Sequence, residues 1–236
     1  MINGILARKV GMTQIFGENG NIVPVTVLEA GPCPILQVKT AKSDGYNALQ
    51  IGFDTKRKKN STKALMGHFK KAGVNVPVRY IREFRLPNGE SGQKEIETYK
   101  IGDQVKVDIF EGDYKVTVTG ISKGRGFMGM VVKWNKHRGP ESHGSMQMRA
   151  PGSIGSDTRL THIRPGKHMP GHYGVDTITV ENLELVRIDK NRNLMYVKGA
   201  VPGANNGLIE VYKTALVKKV PVVTKSKKVI EQRKKR

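Results

Sequence analysis

Between Thr119 and Gly129 the chain reads Thr-Gly-Ile-Ser-Lys-Gly-Arg-Gly-Phe-Met-Gly, its strongest local signal for chemistry. Glycines let a backbone approach a phosphate closely and take positive φ, while Lys123 and Arg125 bring charge and Ser122 a hydroxyl. The segment is read as a phosphate-binding turn with Ser122, Lys123, Gly124, Arg125 and Gly126 as its contacts. A nucleotide loop would need Gly-Lys followed by Ser or Thr at the Walker spacing, or a dinucleotide pattern in a βαβ unit, and neither is present. A little further on, Lys133-Trp134-Asn135-Lys136-His137-Arg138 surrounds the only tryptophan with cations. An indole can stack on an unpaired base or ribose while nearby cations hold phosphates. The usual burial of large aromatics favours the competing reading, in which Trp134 is a core anchor at a strand end.

Five of the six histidines follow in one stretch: His137, His143, His162, His168 and His172. His168 and His172 stand at His-x-x-x-His spacing, which on a helix would present two metal ligands on one face. Pro170 and Gly171 lie between them, however, and the only acids in the stretch are Glu141 and Asp157. The expectation is that no metal binds, and that the imidazoles stack on bases or hydrogen-bond to phosphate and 2′-hydroxyl groups. The acids Glu95, Glu97, Asp103, Asp108, Glu111 and Asp113 read as a solvated face rather than paired catalytic carboxylates, and Gly152-Ser153-Ile154-Gly155-Ser156 lacks the spacing of a nucleophile elbow. No catalytic residue and no cofactor is assigned. Two rivals remain: an RNA-modifying or RNA-cleaving enzyme using His162, His168 or His172, and a translation factor, for which no nucleotide loop is visible.

The elements that must position these residues are mostly strands. From Ile22 to Phe53 apolar residues come in short runs, 22–28, 35–38 and 48–53, broken by Gly and Pro. Val23-Pro24-Val25-Thr26-Val27-Leu28 is β-branched and too short for a helix, and Gly31-Pro32 with Asp44-Gly45 marks turns. Similar signals return at 104–110, 115–121, 177–188 and 194–201, a rhythm that predicts a β-barrel or sandwich. Residues 61–72 break it: possible caps at Ser61 and Thr62, Leu65, Phe69 and Ala72 on one face, and Gly73 as a stop predict a short helix. Lys56, Arg57, Lys58 and Lys59 mark an exposed boundary before it, and 76–86 returns as a strand ahead of a turn at Pro87-Asn88-Gly89.

From Lys136 to Gly174 neither period 2 nor period 3.6 persists. A structureless segment of this length inside a compact domain is usually functional or disordered. Its Gly, His, Arg and Lys bias, with Pro140, Pro151, Pro165 and Pro170, predicts an extended arm ordered by an anionic partner. Residues 216–236 form a basic tail, read either as a solvated segment or as a phosphate-binding arm. The whole chain of 236 residues carries 41 Lys+Arg against 20 Asp+Glu, a net charge of +21 that calls for a polyanion. A membrane surface would require a basic amphipathic helix or a lipid anchor, and neither is found; nor is a secretory start or an apolar stretch of roughly 20 residues. The expectation is a chain that binds nucleic acid, takes no small-molecule substrate and stays in the compartment where it is made. The single cysteine, Cys33, excludes an internal disulfide and reads as a packed small side chain.

Taken together the motifs resemble the universal large-subunit ribosomal protein L3 family in its bacterial form. The likeness runs through Gly4-Ile5-Leu6, Lys9-Val10-Gly11-Met12-Thr13-Gln14-Ile15-Phe16, Val23-Pro24-Val25-Thr26-Val27-Leu28-Glu29 and Gly31-Pro32-Cys33. It continues in Ser122-Lys123-Gly124-Arg125-Gly126-Phe127, Gly129, Trp134-Asn135, Pro151-Gly152-Ser153-Ile154-Gly155 and Val197-Lys198-Gly199-Ala200-Val201-Pro202-Gly203. The resemblance implies a mainly β fold with an α+β insert: a translation-protein-type β-barrel body (1–55, 95–125 and 175–215), a small α/β insert (56–94), a long irregular RNA-penetrating arm (126–174) and the basic tail. It implies a structural, non-enzymatic protein that binds large-subunit ribosomal RNA early in assembly, contacts neighbouring ribosomal proteins and braces RNA near the peptidyl transferase centre. The RNA contacts expected are Lys56, Arg57, Lys58, Lys59, Ser122, Lys123, Gly124, Arg125, Gly126, Lys133, Trp134, Lys136, His137, Arg138, His143, Arg149, Arg159, His162, Arg164, Lys167, His168 and His172. Bacterial relatives often carry a side-chain-methylated glutamine where this chain has Ser156, so that modification is not expected here. A start without a transit-type segment points to a bacterial cytoplasmic ribosome, with an organellar one as the alternative.

Overall fold

The computed structural model describes residues 2–17, 20–86, 95–112, 115–155 and 162–214. Six strands, β1 (Gly4–Phe16), β2 (Ile22–Ala30), β7 (Lys115–Ile121), β10 (Thr177–Asp189), β11 (Leu194–Lys198) and β12 (Leu208–Lys213), close a barrel in the order β1-β12-β7-β10-β11-β2. All pairings are antiparallel, and β1 closes the cylinder by pairing β12 at Gly4↔Tyr212 through Arg8↔Leu208 and β2 from Ala7↔Ala30 onward. Closure leaves no free edge along the paired rungs, which removes the main aggregation hazard of a sheet. The fold is thus mainly β, as the spacing of short apolar runs predicts.

Four further strands, β3 (Cys33–Lys39), β4 (Ala48–Thr55), β5 (Val78–Arg85) and β6 (Gln104–Val105), form a second sheet in the order β5-β4-β3-β6. Of the segment 1–55 assigned to the barrel body, only β1 and β2 take part in the barrel; β3 and β4 pair outside it. One core joins the two sheets, with Phe84 buried and 5.2 Å from the Tyr212 ring and with Arg82 bonded to Glu210 at 3.0 Å. The helix Lys63–Lys71 begins where Thr62 accepts a hydrogen bond from the Leu65 amide and packs Phe69 and Ala72 against Leu36 and Val78. Leu65, expected on the buried face, is 37% exposed, and Met66 packs in its place.

The strand expected over 104–110 is also corrected: only Gln104–Val105 pairs, and Val107–Phe110 forms a 3-10 turn. Val107 and Phe110 are both fully buried at a spacing of three, the repeat of that helix. Cys33 is buried as expected; its thiol donates to the Leu6 carbonyl, and burial pushes its pKa up to about 12, where a thiolate does not form at neutral pH. Among the described residues no helix is long and apolar enough to cross a membrane. The turn at Pro87-Asn88-Gly89 and the tail 216–236 lie outside the described residues.

At Gly4 the two sheets approach closely, since a Cβ there would fall against the Phe84 ring and 2.9 Å from the Val211 carbonyl oxygen. Gly4→Ala is expected to destabilise the protein by ~1–3 kcal/mol, as overpacking does, read as a lower urea midpoint. An unchanged midpoint would mean that Phe84 yields at no cost.

Candidate nucleic-acid interface

The arm leaves the barrel at the end of β7 and returns at the start of β10, on adjacent strands: Ile121 pairs with Thr177. Directly beyond that rung, the Ser122 amide donates to the Asp176 carbonyl at 2.9 Å and the Asp176 amide donates to the Ser122 hydroxyl oxygen at 3.1 Å. Next, the Arg125 amide donates to the Tyr173 carbonyl, and β8 (Gly126–Met128) pairs β9 (Gly171–Tyr173) as a two-stranded ribbon. The two chains run so close that Gly174, at φ +83°, could carry a Cβ only by clashing with the Lys123 carbonyl and with Gly124 Cα at 2.9 Å. Gly124 faces Val175 as tightly, at 2.9 Å. Of the motif's own glycines, Gly124 is thus crowded by the returning chain, whereas Gly126 and Gly129 have open space where a Cβ would stand.

Past the neck a short helix, Met130–Lys133, ends at Trp134. Trp134 is 40% exposed and so is not the core anchor that its size suggests. Its ring stacks on His168 with centroids 4.1 Å apart and planes at 6°, and its Nε1–H donates to the Met169 carbonyl at 2.9 Å. Trp134 and His168 thus tie the outgoing chain to the returning one.

Beyond this brace, residues 134–155 and 162–170 are exposed except for half-buried Gly139, Ser145 and Met169. Lys136, His137, Arg138, His143, Arg149, His162, Arg164 and Lys167 all stand in this exposed stretch, and among the described residues Arg138 with Glu141 is its only ion pair. Lys123, Arg125 and His172 are exposed on the neck, with Arg125 over the Tyr173 ring, whereas Lys133 is half-buried over the Trp134 ring. Gly126 takes φ +69°. Arg159 and Ser156 lie outside the described residues.

The cluster Lys56, Arg57, Lys58 and Lys59 sits apart from the arm, ahead of the helix Lys63–Lys71. Lys56 is half-buried, its amide bonded to the Pro77 carbonyl, and the other three are exposed. Arg79, Arg82 and Arg85 on β5 are basic residues outside the expected set, and they are engaged with Asp54, Glu210 and the Tyr46 ring. Lys9 is outside it too. That side chain is 7% exposed, with Nζ donating to the Val201 and Gly203 carbonyls; burial, then the charge of Lys123, lower its pKa. No clear sequence signal points to it, since Lys9 stands directly beside Arg8, which is half-buried and bonds Glu29.

Unlike residues 152–156, Gly120-Ile121-Ser122-Lys123-Gly124 does have the Gly-x-Ser-x-Gly spacing of a nucleophile elbow. That motif needs a strand-turn-helix setting with an exposed hydroxyl. Here β7 leads into the β8 ribbon, and the Ser122 hydroxyl accepts from Asp176. Among the described residues no three His, Cys, Asp or Glu side chains gather as metal ligands would.

A closed barrel bearing a hydrogen-bonded neck and an arm whose described cations are exposed and mostly unpaired defines the class: a protein that binds structured nucleic acid. The family model for ribosomal protein L3 matches residues 37–194, and the chain belongs to that family. Its members are structural proteins of the large ribosomal subunit that bind ribosomal RNA, rather than enzymes.

Trp134→Ala removes both the stack and the hydrogen bond, so local opening of the neck should become easier by ~1–3 kcal/mol, or roughly ten- to hundredfold faster amide exchange at Arg125 and around Trp134. Trp134→Phe should fall between parent and Ala, and exchange within β1 and β12 should stay unchanged. Equal acceleration in the barrel would show that Trp134 supports the whole fold instead.

Proposed function

We propose that the arm inserts into clefts of large-subunit ribosomal RNA and braces it near the peptidyl transferase centre, while the barrel and the insert bind early in assembly. The observation that carries this reading is the exposed run of cations beyond the Trp134–His168 brace, whose charges, among the described residues, have one ion-pair partner, Glu141. In this reading Lys133, Lys136, His137, Arg138, His143, Arg149, Arg159, His162, Arg164, Lys167, His168 and His172 contact the RNA along the arm. Ser122, Lys123, Gly124, Arg125 and Gly126 meet it at the neck, Lys56, Arg57, Lys58 and Lys59 on the insert. Trp134, already stacked on one imidazole, presents its remaining surface.

The physics is counterion release and shape. Each phosphate neutralised by Lys or Arg frees condensed counterions, so affinity falls steeply with salt. Structured RNA is read mainly through backbone, shape and unpaired bases, and the arm's thin backbone can enter clefts too narrow for a helix. Ordering the arm costs entropy, which charge-assisted hydrogen bonds to phosphate offset. The support for the peptidyl transferase region and for early assembly is the family resemblance of the arm and barrel motifs.

Replacing residues 136–166 with a short Gly-Ser linker keeps the β8–β9 neck and its Trp134–His168 brace and tests this directly. The thermal midpoint is expected to stay within a few degrees, because the described residues among those deleted are exposed or, at Gly139 and Ser145, half-buried, and none belongs to the buried core. Affinity for the ribosomal RNA should fall, and the slope of log K against log salt should become shallower by about 0.7–0.9 for each phosphate that the shortened chain no longer neutralises. An unchanged slope would place the RNA-binding surface on the body alone.

A further inference from the structure

β1 and β2 outrun the barrel. β12 pairs β1 only from Gly4 to Arg8, and β11 pairs β2 only from Val25 to Glu29. Beyond these rungs the two strands continue as a ribbon, with Thr13↔Val25, Gln14↔Pro24, Ile15↔Val23 and Phe16↔Ile22. Opposed residues share a face of an antiparallel pair, and alternate residues along a strand share it too. Met12, Phe16, Ile22 and Pro24 therefore line one face with Gln14. Met12 is 56% exposed, Phe16 75% and Ile22 58%, and Pro24 is exposed as well. Apolar side chains at this density on a protruding ribbon mark a contact surface.

Charge says what kind of contact. From Val10 to Val38 the sequence has no Lys or Arg at all, the longest such interval in a chain where they number 41 of 236 residues. A surface that holds RNA carries cations for its phosphates, and an aromatic offered to a base without them binds weakly. Other proteins of an RNA-rich particle bind phosphate and are cationic themselves, so an apolar ribbon that carries no Lys or Arg of its own is where one of them can approach with least repulsion. The free edge of β1 beside the patch offers backbone groups, while Pro24 blunts β2.

We propose that the ribbon face of Met12, Phe16, Ile22 and Pro24 docks another basic protein of the large subunit through an apolar contact; this rests on the chain's role as a ribosomal structural protein. A photo-cross-linking amino acid placed at Phe16 of the full chain, assembled into large subunits, reads the occupant. A single adduct to one other ribosomal protein is the expected result. An adduct to RNA, an adduct to a second copy of this chain, or no adduct at all would each overturn the proposal. In parallel, the variant Met12→Ser/Phe16→Ser/Ile22→Ser should bind naked ribosomal RNA as the parent does, and should bind the cross-linked protein about tenfold or more weakly, with little dependence on salt. Unchanged binding of that protein would overturn the docking site. Loss of RNA affinity would instead count against the division of labour between arm and ribbon, and retention of RNA affinity with loss of the partner separates this proposal from the RNA-binding role itself. Because the three side chains are exposed, the thermal midpoint serves as the folding control.

Discussion

The antiparallel pairing of β7 with β10 is the contact on which the arm depends. It brings Ile121 and Thr177 onto one rung, so an excursion from 122 to 176 starts and ends at neighbouring points of a rigid cylinder. Closing a loop of that length costs little more than closing a shorter one, because closure entropy grows only logarithmically, and here the barrel bears the cost. The reciprocal hydrogen bonds of Ser122 and Asp176, the β8–β9 ribbon and the stack of Trp134 on His168 then extend that order outward step by step. Each fixes the next segment's direction, and none uses the cations further out.

The same logic explains the second sheet. The first half of β1 is covered twice: its inner side faces the barrel core, and its outer side meets Phe84 of β5. That is why Gly4, Ile5, Leu6 and Ala7 are all buried in succession. A strand covered on both faces loses its alternation, so β1 shows no period-2 pattern in sequence and is legible only through family resemblance. β12 does alternate, with Ile209 and Val211 inward and Glu210 outward, but six residues at the end of a Gly- and Asn-rich loop make a weak signal. By contrast β2, β3, β4, β7 and the Lys63–Lys71 helix are legible because β-branched runs, Gly-Pro turns and a threonine cap act locally.

The interface divides in the same manner. That the stretch from Lys136 to Gly174 is irregular and cationic can be read from composition. What cannot be read is why its base is ordered, since the partners of Ser122, Gly124, Arg125 and Trp134 are some 35 to 54 residues away in sequence. In sequence the glycines suggest a device for approaching phosphate, and local sequence does not distinguish that from close approach to the returning strand. Both need a missing Cβ, and only the fold shows that Gly124 and Gly174 are pressed against backbone and side chain of the same neck.

Lys9 locates where these features meet. Its amine is held by the Val201 and Gly203 carbonyls, and Gly203 in turn packs against the carbonyl of Ile121, the last residue of β7 before the arm. The arm and the β1–β2 ribbon therefore leave the barrel by the same rim. Burial first, and then the charge of Lys123, oppose the charge on Lys9, and an anion placed at this rim would favour the charged form. Immediately past Lys9 the cations stop, and the ribbon begins with Val10 and Met12. One rim thus presents charge toward the arm and apolar surface toward the ribbon.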